Sequence, residues 1–206
     1  MSKSNINYAT INATSLALIN DFANARINFA KEDLRHKEVM KSLKDKLEVI
    51  KKNRENDLAQ GMSSDEVTEK HSTVEVENAI RAEEFLHEET VKPINEAIRA
   101  TFDFVSDDMY PSYVKKVNEG KRGDYLTCVS TFLTNIGIES TSQSALSKLS
   151  EQIADRLGAR VSTSKALLEK GQFSTEMKKG QFNKLFMSVF CDILIARKVI
   201  TVEIGK

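Results

Sequence analysis

The sequence has little of what marks a disulfide-rich, zinc-binding or membrane protein. Among 206 residues there are two cysteines, three histidines, two prolines and no tryptophan. Two cysteines cannot form a disulfide framework, and with three histidines they do not make a zinc-ribbon pattern. The most apolar stretch, 185–196, is about a dozen residues long, too short to span a bilayer. We therefore expect a cytoplasmic protein that has reduced thiols and does not enter a membrane.

Glycine is also scarce, and its distribution divides the chain. Only Gly61 occurs in the first 119 residues, whereas seven glycines fall in the last 87. Glycine interrupts helices, so the pattern predicts long helices followed by several short ones. The expected fold is all-α: a long antiparallel helical hairpin over 1–110 and a compact multi-helix half over 111–206. The alternating β-branched tail 199–204 and the similar segment 5–11 predict a small two-stranded ribbon formed by the termini.

The hairpin is predicted from two apolar repeats. In the first helix, expected over 12–58, the residues Phe22, Phe29, His36, Leu43 and Ile50 lie seven apart, which is one helical seam. A turn at Gly61 precedes Ser63-Ser-Asp-Glu66, a capping box that begins a second helix over 63–106, with a kink at Pro93. Antiparallel pairing about this turn joins residues whose numbers sum to about 123.

Net charge is zero overall but is distributed unevenly. Residues 61–110 carry thirteen acidic and four basic side chains, an excess of nine negative charges. The hairpin places the basic stretch 31–54 against the acidic stretch 66–89, so part of this block is expected to be neutralised internally. The remainder is either solvated or a binding face for a basic partner.

Two histidines make the most specific chemical pattern. The pairing sum places His36 beside His87, and each follows a carboxylate by three residues, Asp33 and Glu84. Residues three apart share a helix face. Facing carboxylate-x-x-His pairs resemble the ligand pattern of di-iron carboxylate bundles, which implies a metal site at these four residues. The chain departs from that pattern because one motif has Asp and no further helix supplies an obvious inward Glu.

The same four residues have two other interpretations. In the first, the histidines hydrogen-bond to Glu84 and Asp33 in a buried polar layer that fixes the register of the hairpin. In the second, the seam opens at this level and the four groups are hydrated.

The C-terminal half contains one central helix and one weak motif. Residues 181–198 are apolar on more than one face, as in the centre of a helical core. Residues 149–170, with Ala154 and Gly158 spaced four apart, resemble the first helix and turn of a helix-turn-helix. That resemblance implies phosphate contacts from nearby basic residues: Arg156, Arg160, Lys165, Lys170, Lys178 and Lys179. Two ordinary short helices are the alternative.

Motifs of enzymes are missing from the sequence. It contains no phosphate-binding glycine loop, no nucleophile elbow, no Cys-x-x-Cys and no His-Glu-x-x-His. We therefore expect no cofactor and a non-catalytic helical protein that acts through protein–protein interaction or self-assembly, as an adaptor, inhibitor or structural component. Such a description fits a protein of a virus or mobile element. The alternatives are a nucleic-acid-associated protein using 149–170 and a metal-binding helical bundle.

Overall fold

The computed structural model describes residues 5–139, 141–162, 168–169, 172–173 and 179–202. Over this range the fold is all-α, as predicted. The helices are α1 Ala13–Ala59, α2 Ser64–Lys70, α3 Val74–Arg99, α4 Met109–Glu119, α5 Gly123–Asn135, α6 Gln143–Ser162 and α7 Lys179–Ala196. Two short 3-10 helices, Tyr8–Thr10 and Phe102–Phe104, and the two-residue strands β1 Leu168–Glu169 and β2 Gln172–Phe173 complete the described elements. The strands pair antiparallel.

The first predicted helix corresponds to α1, which runs for 47 residues without interruption.

The second predicted helix begins where the sequence placed it, at the capping box. The Ser63 side chain accepts a hydrogen bond from the Glu66 amide, and the Glu66 carboxylate accepts one from the Ser63 amide at 3.0 Å. Its predicted extent to residue 106 is wrong, because α2 ends at Lys70 and α3 ends at Arg99. The break follows from side-chain bonding: His71 contacts Asp57 at 2.8 Å and Ser72 Oγ accepts from the Val74 amide, which competes with helical bonding.

Pro93 lies inside α3, and the helix continues past it to Arg99. A proline at an interior position has no N–H to donate to the carbonyl four residues earlier. The predicted kink at Pro93 stays a prediction.

The chain groups into two compact units. Unit 1 comprises residues 1–26 and 96–206, and unit 2 comprises residues 27–95. Both α1 and α3 cross the division, so neither unit boundary coincides with a helix end. The predicted division into a hairpin over 1–110 and a helical half over 111–206 stays a prediction.

Unit 1 has an aromatic core around α7, the counterpart of the predicted apolar helix 181–198. Phe132 of α5 contacts Phe186 and Phe190 edge-on, with ring centroids 4.9 and 4.8 Å apart. All three rings are fully buried. Arg26 of α1 joins this helix by an ion pair to Asp192 at 2.8 Å and a hydrogen bond to the Ser188 carbonyl at 3.0 Å.

The expected ribbon of the two termini is wrong for its N-terminal strand. Residues Tyr8–Thr10 form a 3-10 helix, in which the Asn7 side chain accepts from the Ala9 amide at 3.2 Å. Just after this 3-10 helix, the Asn12 amide donates a hydrogen bond at 3.0 Å to the carbonyl of Ile136, the residue that follows α5. Residues 199–202 contain no strand, and the end of the predicted C-terminal strand lies outside the described residues.

Candidate functional site in the helical hairpin

Unit 2 is the hairpin of α1 and α3, and a polar layer crosses its middle. The rings of His36 and His87 stack with centroids 4.0 Å apart and planes at 17°. This is the neighbour relation that the pairing sum of 123 predicted. Each ring is about one-fifth exposed.

The carboxylates beside the histidines are not the predicted ones. His36 Nδ1 lies 2.9 Å from Glu83 Oε1, and His87 Nδ1 lies 3.1 Å from Glu32 Oε1. Each histidine therefore bonds a carboxylate of the opposite helix. That carboxylate precedes the other histidine by four residues rather than three. The arrangement is close to two-fold symmetric about the stacked rings.

One guanidinium closes the layer and removes that symmetry. Arg35 donates to Glu32 at 2.7 and 2.8 Å and to Glu83 at 2.7 and 3.0 Å. The position related to it on α3 is Leu86, which is 53% exposed. Among the described lysines and arginines, Arg35 is the one that pairs with both carboxylates.

Arginine contact holds both carboxylates in the ionised form. The Arg35 hydrogen bonds lower the pKa of Glu32 to about 2, with a smaller contribution from His87 and against the effect of burial. The same guanidinium lowers the pKa of Glu83, again helped by a histidine bond and opposed by burial. Conversely, the two carboxylates raise the pKa of Arg35. The layer is thus a mutually stabilised ionic group.

The two predicted carboxylates point away from the histidines for local reasons. Asp33 binds Lys37, four residues later on α1, at 2.6 Å. Glu84 is exposed and makes no ion pair within residues 5–139. At 100° per residue, positions 33 and 84 face the opposite side of the seam from Arg35. The sequence does contain the pairs that form, because Glu32 and Glu83 each precede a histidine by four residues. The prediction used the carboxylates three residues before each histidine instead.

The structure does not bring together all four residues of the predicted metal site, Asp33, His36, Glu84 and His87. Only the two histidines lie side by side. An ionised carboxylate can only accept, so each Nδ1 donates, and a lone pair is available only at Nε2 of a neutral ring. Lone pairs in two nearly parallel rings do not converge on one ion at about 2 Å. Across the described residues, no group of three or more His, Cys, Asp or Glu is placed to hold a metal ion.

The second notable feature of unit 2 is its exposed apolar surface. Residues 27–95 bury only two apolar side chains, Met40 and Val67. Most large apolar side chains that stand exposed in the described structure belong to this unit: Leu34, Val49, Leu58, Val74, Phe85 and Leu86. Phe85 is 68% exposed. Exposure of apolar side chains to water is unfavourable, and where they form a contiguous patch they mark an interaction site.

The predicted helix-turn-helix is wrong at its turn. α6 runs through Gly158 to Ser162, and β1 lies where the second helix was expected. Burial of Ile153, Ala154 and Leu157 stabilises the continuous helix. This outweighs the roughly 1 kcal/mol that a helical glycine costs.

The predicted phosphate-contacting residues are only partly placed. Arg156 lies on α6 and is half-buried. Arg160 falls within α6 and Lys179 begins α7, but their side chains are outside the description, as are residues 165, 170 and 178. Their role with nucleic acid stays a prediction.

None of the helices in the described part of the chain combines the length and the apolar character needed to cross a bilayer. Comparison of the sequence with protein-family models, with curated proteins and with solved structures finds no match.

Proposed function

We propose that this chain is a non-catalytic helical protein whose hairpin, unit 2, binds another protein chain. The observation that carries the proposal is the contrast within unit 2 between two buried apolar side chains and six exposed large ones. A helix must bury an apolar stripe against something to be stable. The two helices of unit 2 cover each other only in part, so a partner chain would supply the missing contacts.

The polar layer has a supporting role in this proposal. Glu32, Glu83 and Arg35 specify which residues of α1 and α3 stand opposite each other, since a shifted register would separate the charges. A hairpin held in one register presents a fixed outer surface. The layer is therefore a positioning device for the binding surface, as buried polar residues are in helical bundles.

The test is capture of partners by the tagged full-length chain, with and without nuclease, and with two matched variants. Leu86→Asp places a charge on the exposed surface of unit 2, and Val117→Asp makes the same change at an exposed residue of unit 1. We expect a protein retained after nuclease treatment, lost with Leu86→Asp and kept with Val117→Asp. Retention that depends only on nucleic acid, or equal loss with both variants, contradicts the proposal.

A further inference from the structure

The hairpin of unit 2 has two lateral faces of different character. One is charged, with the exposed residues Lys37, Lys44, Lys51, Glu77, Glu84 and Glu88. The other, which we name the open flank, contains Val39, Lys46 and Ile50 of α1 and Val76, Leu86 and Ile94 of α3. At 100° per residue these two sets lie on opposite sides of the seam between the helices.

Two open grooves lie along the open flank. The larger, about 680 Å³, is lined by Val49 and Ile50 of α1 and Val76 of α3 together with the stems of neighbouring charged residues. The second, about 510 Å³, is lined by Asn28, Glu32 and Arg35 of α1 and by Thr90 and Ile94 of α3. The larger groove lies mainly along α1 and reaches α3 only at Val76, whereas the second is lined by both helices. A further helix packed on the open flank would fill both.

The open flank leaves the hairpin seam half covered. Leu43, Leu47 and Ile50 on α1, and Ile80, Val91 and Ile94 on α3, are all only partly buried although they occupy seam positions. In a bundle of four helices such positions are enclosed from both sides. The missing layer is therefore helical, with an apolar stripe of the same kind.

Charge complementarity identifies the occupant. Outside the ionic layer, the charged residues that lie toward the open flank are Lys31, Lys46 and Glu38 on α1 and Glu75 and Glu89 on α3. The flank is therefore net basic along α1 and net acidic along α3. A second hairpin of the same sequence, rotated by a two-fold axis, can place its α3 on α1 and its α1 on α3. A surface that contains its own complement is what an isologous interface requires.

The size of the flank also fits. α3 contributes about 20 residues to it, or roughly 30 Å of helix. Two adjacent helices present a width of roughly 20 Å, so the face measures roughly 600 Å² in outline, comparable with the roughly 800 Å² per partner of stable interfaces.

Resting on the proposed function, we propose that the open flank is the interface with a second copy of this chain. The two hairpins form an antiparallel four-helix bundle in which α1 of each copy lies against α3 of the other. The charged faces remain in water on the outside of this bundle, and the stacked histidine layers of both copies lie near its middle.

The first experiment measures mass in solution across concentration, by sedimentation equilibrium of the full-length chain. We expect a species of twice the chain mass of 23.1 kDa. Leu86→Asp, on the open flank, should weaken the dimer at least about tenfold. Leu34→Asp, at an equally exposed residue on the outer side of α1, is the matched control and should leave the dimer intact. Circular dichroism checks that both variants keep their helices.

The second experiment uses charge reversal. A variant with Lys31→Glu and Lys46→Glu makes the open-flank side of α1 acidic, and a variant with Glu75→Lys and Glu89→Lys makes the open-flank side of α3 basic. Each alone would place like charges on facing helices and should be monomeric. An equimolar mixture restores both contacts and should form a heterodimer. Formation of that heterodimer supports the predicted α1 to α3 arrangement.

The contrary outcomes are distinct. A chain that stays monomeric at all concentrations overturns the second-copy proposal, as does a dimer that Leu86→Asp leaves unchanged. If the monomeric chain still captures a different protein in a manner that Leu86→Asp abolishes, the proposed function stands and only the identity of the partner is wrong. If neither a dimer nor a captured protein is found, both proposals fail.

Discussion

Two glutamates at the middle of the hairpin tie its stability to pH. In the folded chain the Arg35 bonds lower the pKa of Glu32 to about 2 and also lower the pKa of Glu83. In the unfolded chain both groups return to an ordinary pKa of about 4.3. A group with a lowered folded pKa contributes stability that is full above its unfolded pKa and is lost as pH falls through its folded pKa.

We therefore expect the melting temperature to fall between about pH 4.5 and pH 2, within the interval set by the two states. Replacing both groups, Glu32→Gln with Glu83→Gln, should lower the melting temperature at pH 7 by several degrees and flatten that pH dependence. Glu84→Gln is the control, since this exposed neighbour makes no ion pair within residues 5–139. An unchanged pH profile in the double variant would show that the layer contributes nothing to stability. Thermal melts followed by circular dichroism measure all three.

A buried hydroxyl in unit 1 gives a second prediction. The Tyr125 hydroxyl is buried and has no hydrogen-bond partner among the described residues, whereas Tyr113 donates to the Ala154 carbonyl at 3.4 Å. Removing an unsatisfied buried hydroxyl removes its desolvation cost, so Tyr125→Phe should stabilise the fold by about 1 kcal/mol. Tyr113→Phe should destabilise it instead. Urea unfolding distinguishes the two, and a loss of stability in both would contradict the assignment.

At the scale of the elements, the sequence predicted the start of α2 but not the break that follows it. The capping box at Ser63 is a local signal that few residues determine. The break at 71–73 depends on His71 reaching Asp57 on another helix, and a contact of that kind leaves no periodic trace. Similarly, the choice of Glu32 over Asp33 depends on Arg35 and Lys37 together.

Pro93 provides a test within one element. It lies inside α3 and is exposed, so the carbonyl of Glu89 lacks its usual helical donor. Pro93→Ala restores the donor and should stabilise α3 by up to about 3 kcal/mol. Hydrogen exchange should slow for the amides of residues 91–99. Faster exchange there would mean that the proline ring itself contributes to packing.

At the scale of the whole molecule, the apolar core is concentrated in unit 1. Apart from Met40 and Val67, every buried apolar side chain of the described structure belongs to that unit. The sequence predicted this concentration through the apolar helix around Phe186 and Phe190. It could not predict how little of the hairpin seam would be covered, because a heptad pattern looks the same whether its partner is in the same chain or in another.

The core of unit 1 should therefore dominate the unfolding free energy. Phe190→Ala removes a fully buried ring that packs edge-on against Phe132, and should cost about 3 to 5 kcal/mol. Val117→Ala, at an exposed position, should change the free energy of unfolding by less than about 0.5 kcal/mol. Guanidinium unfolding measures both. Equal changes in the free energy of unfolding for both variants would mean that the contact between α5 and α7 contributes little to the stability of the molecule.

Both cysteines, Cys128 and Cys191, are buried in unit 1, and burial raises the pKa of the Cys191 thiol to about 12. A protonated, enclosed thiol reacts slowly with maleimides. The hairpin contains no cysteine at all. A single cysteine introduced on its surface can therefore be labelled with a fluorophore or spin probe in the otherwise wild-type chain. Distances on the hairpin thus become measurable without first removing the native thiols.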